Sequence, residues 1–225
     1  MVCLVGLTAC GAAPDSDEAR NTETGSSSSL SVVAAPKVNS FSPSKAMQGT
    51  TITVNGSGFV NGASVTFNGA PASSVTFVSG SRLKAVVPSG ATSGPISVTV
   101  PAGSASSATS FAVLPTIASV DPLHAFVGDF VTITGSGLTG TTGVKFGSLV
   151  ASFSIDSDTS VSAAVPAGFV SGRVTVVTPG GNAATTTTLL AWPLVGSFSP
   201  TQGLVGSTID VGGEAFAQAR ALRLG

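Results

Sequence analysis

The sequence predicts an all-β protein made of repeated β-sandwich units, and three observations support this prediction. Only 8% of the 225 residues are charged, while 28 are glycine and 13 are proline, a composition typical of short strands joined by tight turns. A short motif ending in proline recurs along the chain. Apolar and polar residues alternate with a period of two at matching positions of each copy, as expected for strands with one face on a core.

The chain opens on the apolar stretch MVCLVGLTAC and becomes polar directly after it. Its last four residues, Leu-Thr-Ala-Cys, resemble a bacterial lipobox, and small residues before a cleavage site are typical of signal segments. The resemblance implies a lipoprotein-type signal segment at residues 1–10 and a lipid attached to Cys10, which would anchor the protein to the membrane surface in a bacterial cell envelope. An ordinary secretory signal, and therefore a secreted protein, is the alternative.

Residues 11–35 are mainly polar and include four consecutive serines. They carry too little apolar surface to offset the entropy cost of ordering, so we expect a flexible tether. Both cysteines, Cys3 and Cys10, precede this tether. The folded part is therefore expected to hold no disulfide and no cysteine-ligated metal, and to depend on packing for its stability.

Three units share one repeat frame. The tripeptides FSP, VDP and FSP end at Pro43, Pro122 and Pro200, which lie 79 and 78 positions apart, and each proline is followed six residues later by a glycine. In the two full copies the period-two alternation predicts the same inward-facing positions. These are Ile52, Val54, Val65, Phe67, Leu83, Ala85, Val87, Ile96 and Val98 in the first copy, and Val131, Ile133, Val144, Phe146, Val161, Ala163, Val165, Val174 and Val176 in the second.

The repeated stretches resemble the IPT/TIG family. In the first copy they are FSP, GTTITVNGSGF, VTFNG and AVVPSGATSGPISVTVPAG, and the second copy carries the same elements. The resemblance implies tandem immunoglobulin-like β-sandwiches of the IPT/TIG type, two complete (residues 36–114 and 115–192) and one truncated (residues 193–225). Because the third unit stops after its second predicted strand, we expect the chain to be a fragment of a longer array.

The stretch VTITGSGLTG contains Gly135, Gly137 and Gly140 at the spacing of a dinucleotide-binding motif. Such a site requires a helix after the glycines, whereas here a predicted strand follows. The spacing also slips by one residue in the first copy and dissolves in the third. We therefore interpret the glycines as a strand-to-strand turn with a close backbone approach.

His124 is the only histidine, and it has no recognisable nucleophile or metal partner, so a surface loop residue is the favoured interpretation. Asp156 and Asp158 could suggest calcium, but two carboxylates fall short of the oxygen ligands that this ion takes. A solvated turn is the favoured interpretation for both. No metal or cofactor is expected.

Trp192, the only tryptophan, precedes a proline at the junction with the third unit. We expect it to pack between neighbouring domains, with a sugar-stacking surface as the alternative. Phe126 and Phe169 are binding candidates, because the first copy has Met47 and Ala91 at these positions and both flank turns. A side chain that plugs its own loop is the other interpretation of each.

Taken together, the features favour a non-catalytic binding and spacer module at the cell surface, with protein or carbohydrate partners. No basic patch is present, so nucleic acid is not an expected partner. The alternative is an accessory region, carbohydrate-binding or linking, of a longer secreted enzyme whose catalytic domain is missing from this chain.

Overall fold

The computed structural model describes residues 34–218, which form two β-sandwiches and a two-stranded segment. Apart from the 3-10 turn Phe216–Gln218, every regular element of these residues is a strand, which confirms the predicted fold class. The signal segment with Cys10, most of the predicted tether, and residues 219–225 of the third unit lie outside the described residues. Within residues 34–218, no helix has the length and apolarity needed to cross a membrane.

The first sandwich consists of two antiparallel sheets that face each other, with one short parallel pairing between β2 and β9. One sheet has the order β1-β3-β7-β6 and the other has the order β2-β9-β8-β4-β5. The strands are β1 (Lys37–Ser42), β2 (Lys45–Ala46), β3 (Thr51–Ser57), β4 (Ser64–Phe67), β5 (Ala70–Pro71), β6 (Ser74–Ser79), β7 (Arg82–Val86), β8 (Gly94–Val100) and β9 (Gly103–Val113).

The second sandwich repeats this layout with sheets β10-β12-β16-β15 and β14-β13-β18-β19, and with a small third sheet, β11-β20-β17. The third sheet arises because the long β9 of the first sandwich is replaced by two strands, β19 and β20. The strands are β10 (Thr116–Asp121), β11 (His124–Ala125), β12 (Phe130–Ser136), β13 (Gly143–Phe146), β14 (Leu149–Ala151), β15 (Phe153–Ser157), β16 (Ser160–Ala164), β17 (Ser171–Gly172), β18 (Val174–Thr178), β19 (Gly181–Ala184) and β20 (Leu189–Ala191).

Each sandwich has its own apolar core between its sheets. All eighteen inward-facing positions predicted from the alternation in the two full copies are buried, with at most 2% of any of these residues exposed. Fully burying a side chain of this size stabilises the fold by about 1.5–3 kcal/mol relative to leaving it exposed. The period-two pattern therefore places a large part of the core of both units, whereas Phe111 and Leu138, which are also buried in these cores, are not among the predicted positions.

The third unit begins with β21 (Leu194–Ser199), which pairs in antiparallel fashion with β22 (Asp210–Glu214). This pairing matches β1 with β3 and β10 with β12, including an irregularity at the same point of each ladder. The peptide bonds before Pro43, Pro122 and Pro200 are all cis. The repeat is thus preserved in backbone geometry as well as in sequence.

Candidate functional site

The glycine motif of the second sandwich is a turn between strands. Gly137 has a φ of 70°, in the left-handed region that favours glycine. A Cβ atom on Gly135 would overlap the backbone carbonyl oxygen of Thr116 on the adjacent strand β10. After Gly140 the chain enters β13, a strand, so no helix N-terminus faces these amides. The interpretation of this motif as a turn is confirmed.

The junction between the two sandwiches is short and closely packed. Only Leu114 and Pro115 separate β9 from β10. The turn between β18 and β19 lies so close to the end of β9 that a Cβ atom on Gly180 would overlap the backbone carbonyl oxygen of Val113. A cleft of about 90 Å³ remains beside this contact, lined from both sandwiches. Its lining residues are Asn68, Ala91, Thr92, Ser93, Val113, Gly137, Gly140, Thr178 and Pro179.

A polar contact also joins the two sandwiches. The side chain of Gln48 in the first sandwich donates its Nε2 hydrogen bond to Oδ1 of Asp158 in the second, at 3.1 Å. The hydroxyl of Thr139 donates to the same oxygen at 2.9 Å. Oδ2 of Asp158 is buried and has no hydrogen-bond partner of its own among residues 34–218. We refer to Gln48, Thr139 and Asp158 as the junction contact.

The junction contact changes the acidity of its carboxyl group. Burial by itself raises the pKa of Asp158, but the nearby backbone amide of Gly90 and the hydrogen bonds from Gln48 and Thr139 favour the charged form. Together they hold the pKa of Asp158 below its ordinary value of 3.8. The carboxylate is therefore ionised at neutral pH and serves as the acceptor that both sandwiches share.

Asp156 and Asp158, the two aspartates considered as calcium ligands, differ in burial and in hydrogen-bond partners. Asp156 is exposed, as expected, but lies in strand β15 and not in a turn, and it accepts hydrogen bonds from the hydroxyls of Ser154, Ser160 and Ser162 on its own sheet. Asp158 departs from that expectation, because it is half-buried at the junction. In the part of the chain that the structure describes, no group of three or more His, Cys, Asp or Glu side chains could hold a metal ion.

Phe169 lies in the core of the second sandwich and does not face solvent. Only 2% of it is exposed, and its ring packs edge-on against Phe146 with ring centres 5.3 Å apart. The structure therefore favours the plug interpretation of this residue over a ligand contact. The physical reason is that an aromatic side chain gains more by filling the end of the sandwich than by remaining in water.

Phe126 is 42% exposed and lies beside the ring of Trp192 at the end of the second sandwich. Its ring centre is 6.5 Å from that of Trp192, with the two planes 33° apart. Trp192 also faces His124, with ring centres at 5.4 Å and planes 46° apart. Trp192 itself is 51% exposed. We refer to His124, Phe126 and Trp192 as the aromatic cluster.

Backbone pairing positions the aromatic cluster. Strand β11 runs parallel to β20, and the N–H of Trp192 donates to the carbonyl of Ala125 at 2.9 Å. The turn after β11 is fixed by Asp129, whose Oδ2 accepts the backbone N–H of Phe126 at 2.9 Å. Trp192 was expected to pack between domains. Among the described residues its ring instead packs on its own sandwich and leaves about half of its surface open.

Sequence reasoning missed Gln48 and Thr139, and it underestimated Asp158. A signal was present in the repeat frame, since Asp158 occupies the position of Gly80 in the first copy, and Gln48 that of Val127 in the second. Polar residues at positions where the other copy has an apolar residue or glycine are not explained by the shared fold. Such positions are candidates for contacts that only one copy makes.

Two stacked sandwiches with this sheet order define a class of protein, that of tandem immunoglobulin-like β-sandwich repeats. Residues 36–113 and 115–191 each match the IPT/TIG domain family. The chain belongs to this family. No curated protein matches the sequence.

Several solved structures are similar to this chain at low identity. The surface glycan-binding protein PbSGBP-B from Prevotella bryantii is 17% identical, with 68% of this chain and 42% of that chain covered and a TM-score of 0.48. SGBP-B from a xyloglucan utilization locus in Bacteroides uniformis is 18% identical, with 68% and 48% covered and a TM-score of 0.32. The plexin A4 extracellular region is also 18% identical, with 70% and 18% covered and a TM-score of 0.36. This chain spans less than half the length of each.

Proposed function

We propose that this chain is a non-catalytic module of the cell surface, in which two IPT/TIG sandwiches act as a semi-rigid spacer and hold their end loops available to protein or carbohydrate partners. The observation that carries the proposal is the junction between the sandwiches. A spacer holds a binding site at a defined distance only if the angle between its domains is fixed. Domains joined by small polar interfaces move relative to one another by default.

Two features of the junction oppose such motion. The linker of Leu114 and Pro115 is too short to act as a flexible coil, and proline further restricts it. The junction contact adds hydrogen bonds to an ionised acceptor, and these are roughly twice as strong as neutral ones. The backbone at Gly180 also lies directly against the end of β9, so the two sandwiches are in contact beside the linker.

The end loops are the part of this scaffold suited to binding. Connecting loops lie at the surface and vary without disturbing the core, so they carry function on sandwich folds. The aromatic cluster lies at such an end, after strand β20. The core positions, by contrast, are filled by small, aliphatic and phenylalanine side chains whose role is packing.

The spacer role is tested by measuring the distance between spin labels placed one on each sandwich. Thr99→Cys and Ser148→Cys put labels on exposed positions of the first and second sandwich, in a background with Cys3→Ser and Cys10→Ser. A semi-rigid spacer gives one narrow distance distribution that does not change with temperature. A broad distribution covering many interdomain angles contradicts the proposal.

Anchoring is a separate part of the proposal and has its own test. A lipid on Cys10 would tether the spacer to the membrane surface and leave the sandwiches outside. Protein extracted from membranes should then show an intact mass that begins at Cys10 and includes acyl chains, and Cys10→Ser should abolish the added mass. An unacylated chain that keeps Met1 contradicts the anchor without affecting the spacer.

A further inference from the structure

The aromatic cluster is a feature of the second sandwich alone. In the first sandwich the same three positions hold Lys45, Met47 and Leu114. The backbone is the same in both copies, since β2 pairs parallel to β9 just as β11 pairs with β20. The hydrogen bond from the Leu114 N–H to the Ala46 carbonyl measures 2.9 Å, like that from Trp192 to Ala125. The fold therefore does not require rings at these positions.

The three rings also come together in space although they are far apart in the sequence. Trp192 lies 66 to 68 positions after the other two members (192 − 126 and 192 − 124), and β11–β20 pairing brings them into contact. A change to an aromatic side chain at one position could reflect packing. A change at three adjoining positions, two of them 42% and 51% exposed, instead builds a continuous aromatic surface facing water.

The chemistry of this surface suits a neutral ligand with both apolar and hydroxyl groups. Residues 122–130 and 189–195 contain no lysine or arginine, and Lys45 of the first copy is replaced by His124. The one carboxylate in these segments, Asp129, already accepts the Phe126 N–H. A phosphate or carboxylate ligand would therefore find no cation here to pair with.

A sugar ring is a neutral ligand that carries both apolar and hydroxyl groups. One face of a pyranose presents C–H groups, which are attracted to the electron-rich faces of aromatic rings. Its hydroxyls need hydrogen-bonding partners, and the imidazole nitrogens of His124 can donate or accept. The indole N–H of Trp192 has no partner among residues 34–218 and can donate. Two tilted faces 6.5 Å apart provide a surface wider than a single ring.

We propose that the aromatic cluster is a binding site for neutral saccharides, in which sugar rings stack on Trp192 and Phe126 and a hydroxyl is hydrogen-bonded by His124. This inference deepens the proposed function, since it rests on the end loops being available to partners and names the ligand class at one of them. It does not depend on the spacer being rigid.

Trp192 is the only tryptophan, so its fluorescence reports directly on the site. The intact protein is titrated with cellohexaose, xylohexaose and mannohexaose while its emission is recorded. At least one of these should cause a saturable change in intensity with a shift to shorter wavelength, as the indole leaves water. Phe126→Ala should weaken that binding at least tenfold, which corresponds to about 1.4 kcal/mol, and His124→Ala should weaken it less.

Phe77→Ala is the matched control, because Phe77 is 39% exposed but lies on the first sandwich. It should leave saccharide binding unchanged. The proposal is overturned if none of the three sugars gives a saturable change, or if Phe126→Ala binds as tightly as the unaltered protein. A response to tetramethylammonium in place of sugar would assign the cluster to cation binding instead.

One further outcome overturns the inference while leaving the spacer intact. If acrylamide fails to quench Trp192 in the absence of sugar, the ring is already covered, and the cluster is then an interface with a neighbouring domain. The spin-label distance is measured independently of this fluorescence. A narrow distance distribution together with a failed titration would therefore reject the saccharide site alone.

Discussion

At the residue scale, single side chains of this protein differ in role although their types and contexts look alike. Phe126 and Phe169 both flank turns of the second sandwich, yet one is 42% exposed and the other is 2% exposed. Asp156 and Asp158 are two residues apart, yet only Asp158 contacts the other sandwich. The difference in each pair comes from where the fold places the side chain, since Asp156 lies within β15 whereas Asp158 lies in the turn after it.

Because Phe169 is buried, truncating its side chain should lower stability far more than truncating an exposed phenylalanine. Phe169→Ala should lower the free energy of unfolding of the second sandwich by about 3–5 kcal/mol, because it leaves a cavity beside Phe146. Urea denaturation followed by circular dichroism measures this loss. Phe130→Ala is the control, since Phe130 is 67% exposed, and it should change stability by no more than about 0.5 kcal/mol. Equal effects of the two substitutions would show that Phe169 does not fill the core.

Asp158 predicts a dependence of stability on pH. Its pKa is lower in the folded protein than its ordinary value of 3.8, so the ionised carboxylate stabilises the fold above that pH. This contribution is lost as the pH falls through the folded pKa. Asp158→Asn keeps the shape but removes the charge, and should cost about 1 kcal/mol at neutral pH.

The difference in unfolding free energy between the unaltered protein and Asp158→Asn should then shrink as the pH is lowered below 3.8. Urea titrations at a series of pH values measure it. Asp156→Asn is the control for a nearby carboxylate, on strand β15, whose hydrogen bonds stay within the second sandwich. A difference that stays constant down to the acid limit of the fold would rule out an ionised Asp158 as the stabilising form.

At the element scale, the strand pairs depend on a glycine near the end of β12 and on the turn that follows it. Strands β10 and β12 approach closely because Gly135 on β12 has no side chain that would meet the Thr116 carbonyl on β10. The third copy keeps this approach at Gly213, where a Cβ atom would overlap the Leu194 carbonyl. It places Ala215, with a φ of 59°, at the position of Gly137. The close approach is thus retained in all three copies, and the left-handed position tolerates alanine at some cost in strain.

This geometry predicts that the glycines of the motif are not equivalent. Gly135→Ala should destabilise the second sandwich by about 2–3 kcal/mol, because the new methyl group forces β10 and β12 apart. Gly140→Ala should be nearly neutral, since its methyl group would lie 3.9 Å from the nearest atoms. Thermal unfolding of the two variants compares them. A larger loss for Gly140→Ala would contradict a purely structural role for this turn.

At the scale of the whole molecule, the angle between the sandwiches depends on contacts that the repeat does not encode. Gln48 and Asp158 are 110 positions apart and belong to different units. At the junction after β20, the position of Gln48 is held by Val127, which cannot donate such a hydrogen bond. The junction after β20 is therefore built from different side chains, with Trp192 at the position of Leu114. Successive junctions of one array need not share one geometry.

Removing the junction contact should loosen the first junction without unfolding either sandwich. In the spin-labelled protein, Gln48→Ala should broaden the distance distribution between the labels at residues 99 and 148. Val127→Ala, the counterpart in the second sandwich, should leave that distribution narrow. Circular dichroism confirms that both variants remain folded. An unchanged distribution in Gln48→Ala would mean that the linker and the packing at Gly180 suffice to fix the angle.

By itself, the sequence determined the β-sandwich class, the repeat frame and the core positions on the alternating strands of both complete units, because these follow from a local period of two and from turn residues at fixed spacing. It also excluded a phosphate site at Gly135–Gly140, since no helix could follow. Only the tertiary structure decided that Asp158 reaches Gln48, that Phe169 is buried while Phe126 is not, and that His124, Phe126 and Trp192 adjoin. The contact of Asp158 with Gln48 and the pairing that brings Trp192 to His124 and Phe126 join residues 66 to 110 positions apart, and such long-range contacts leave no periodic trace in a single sequence.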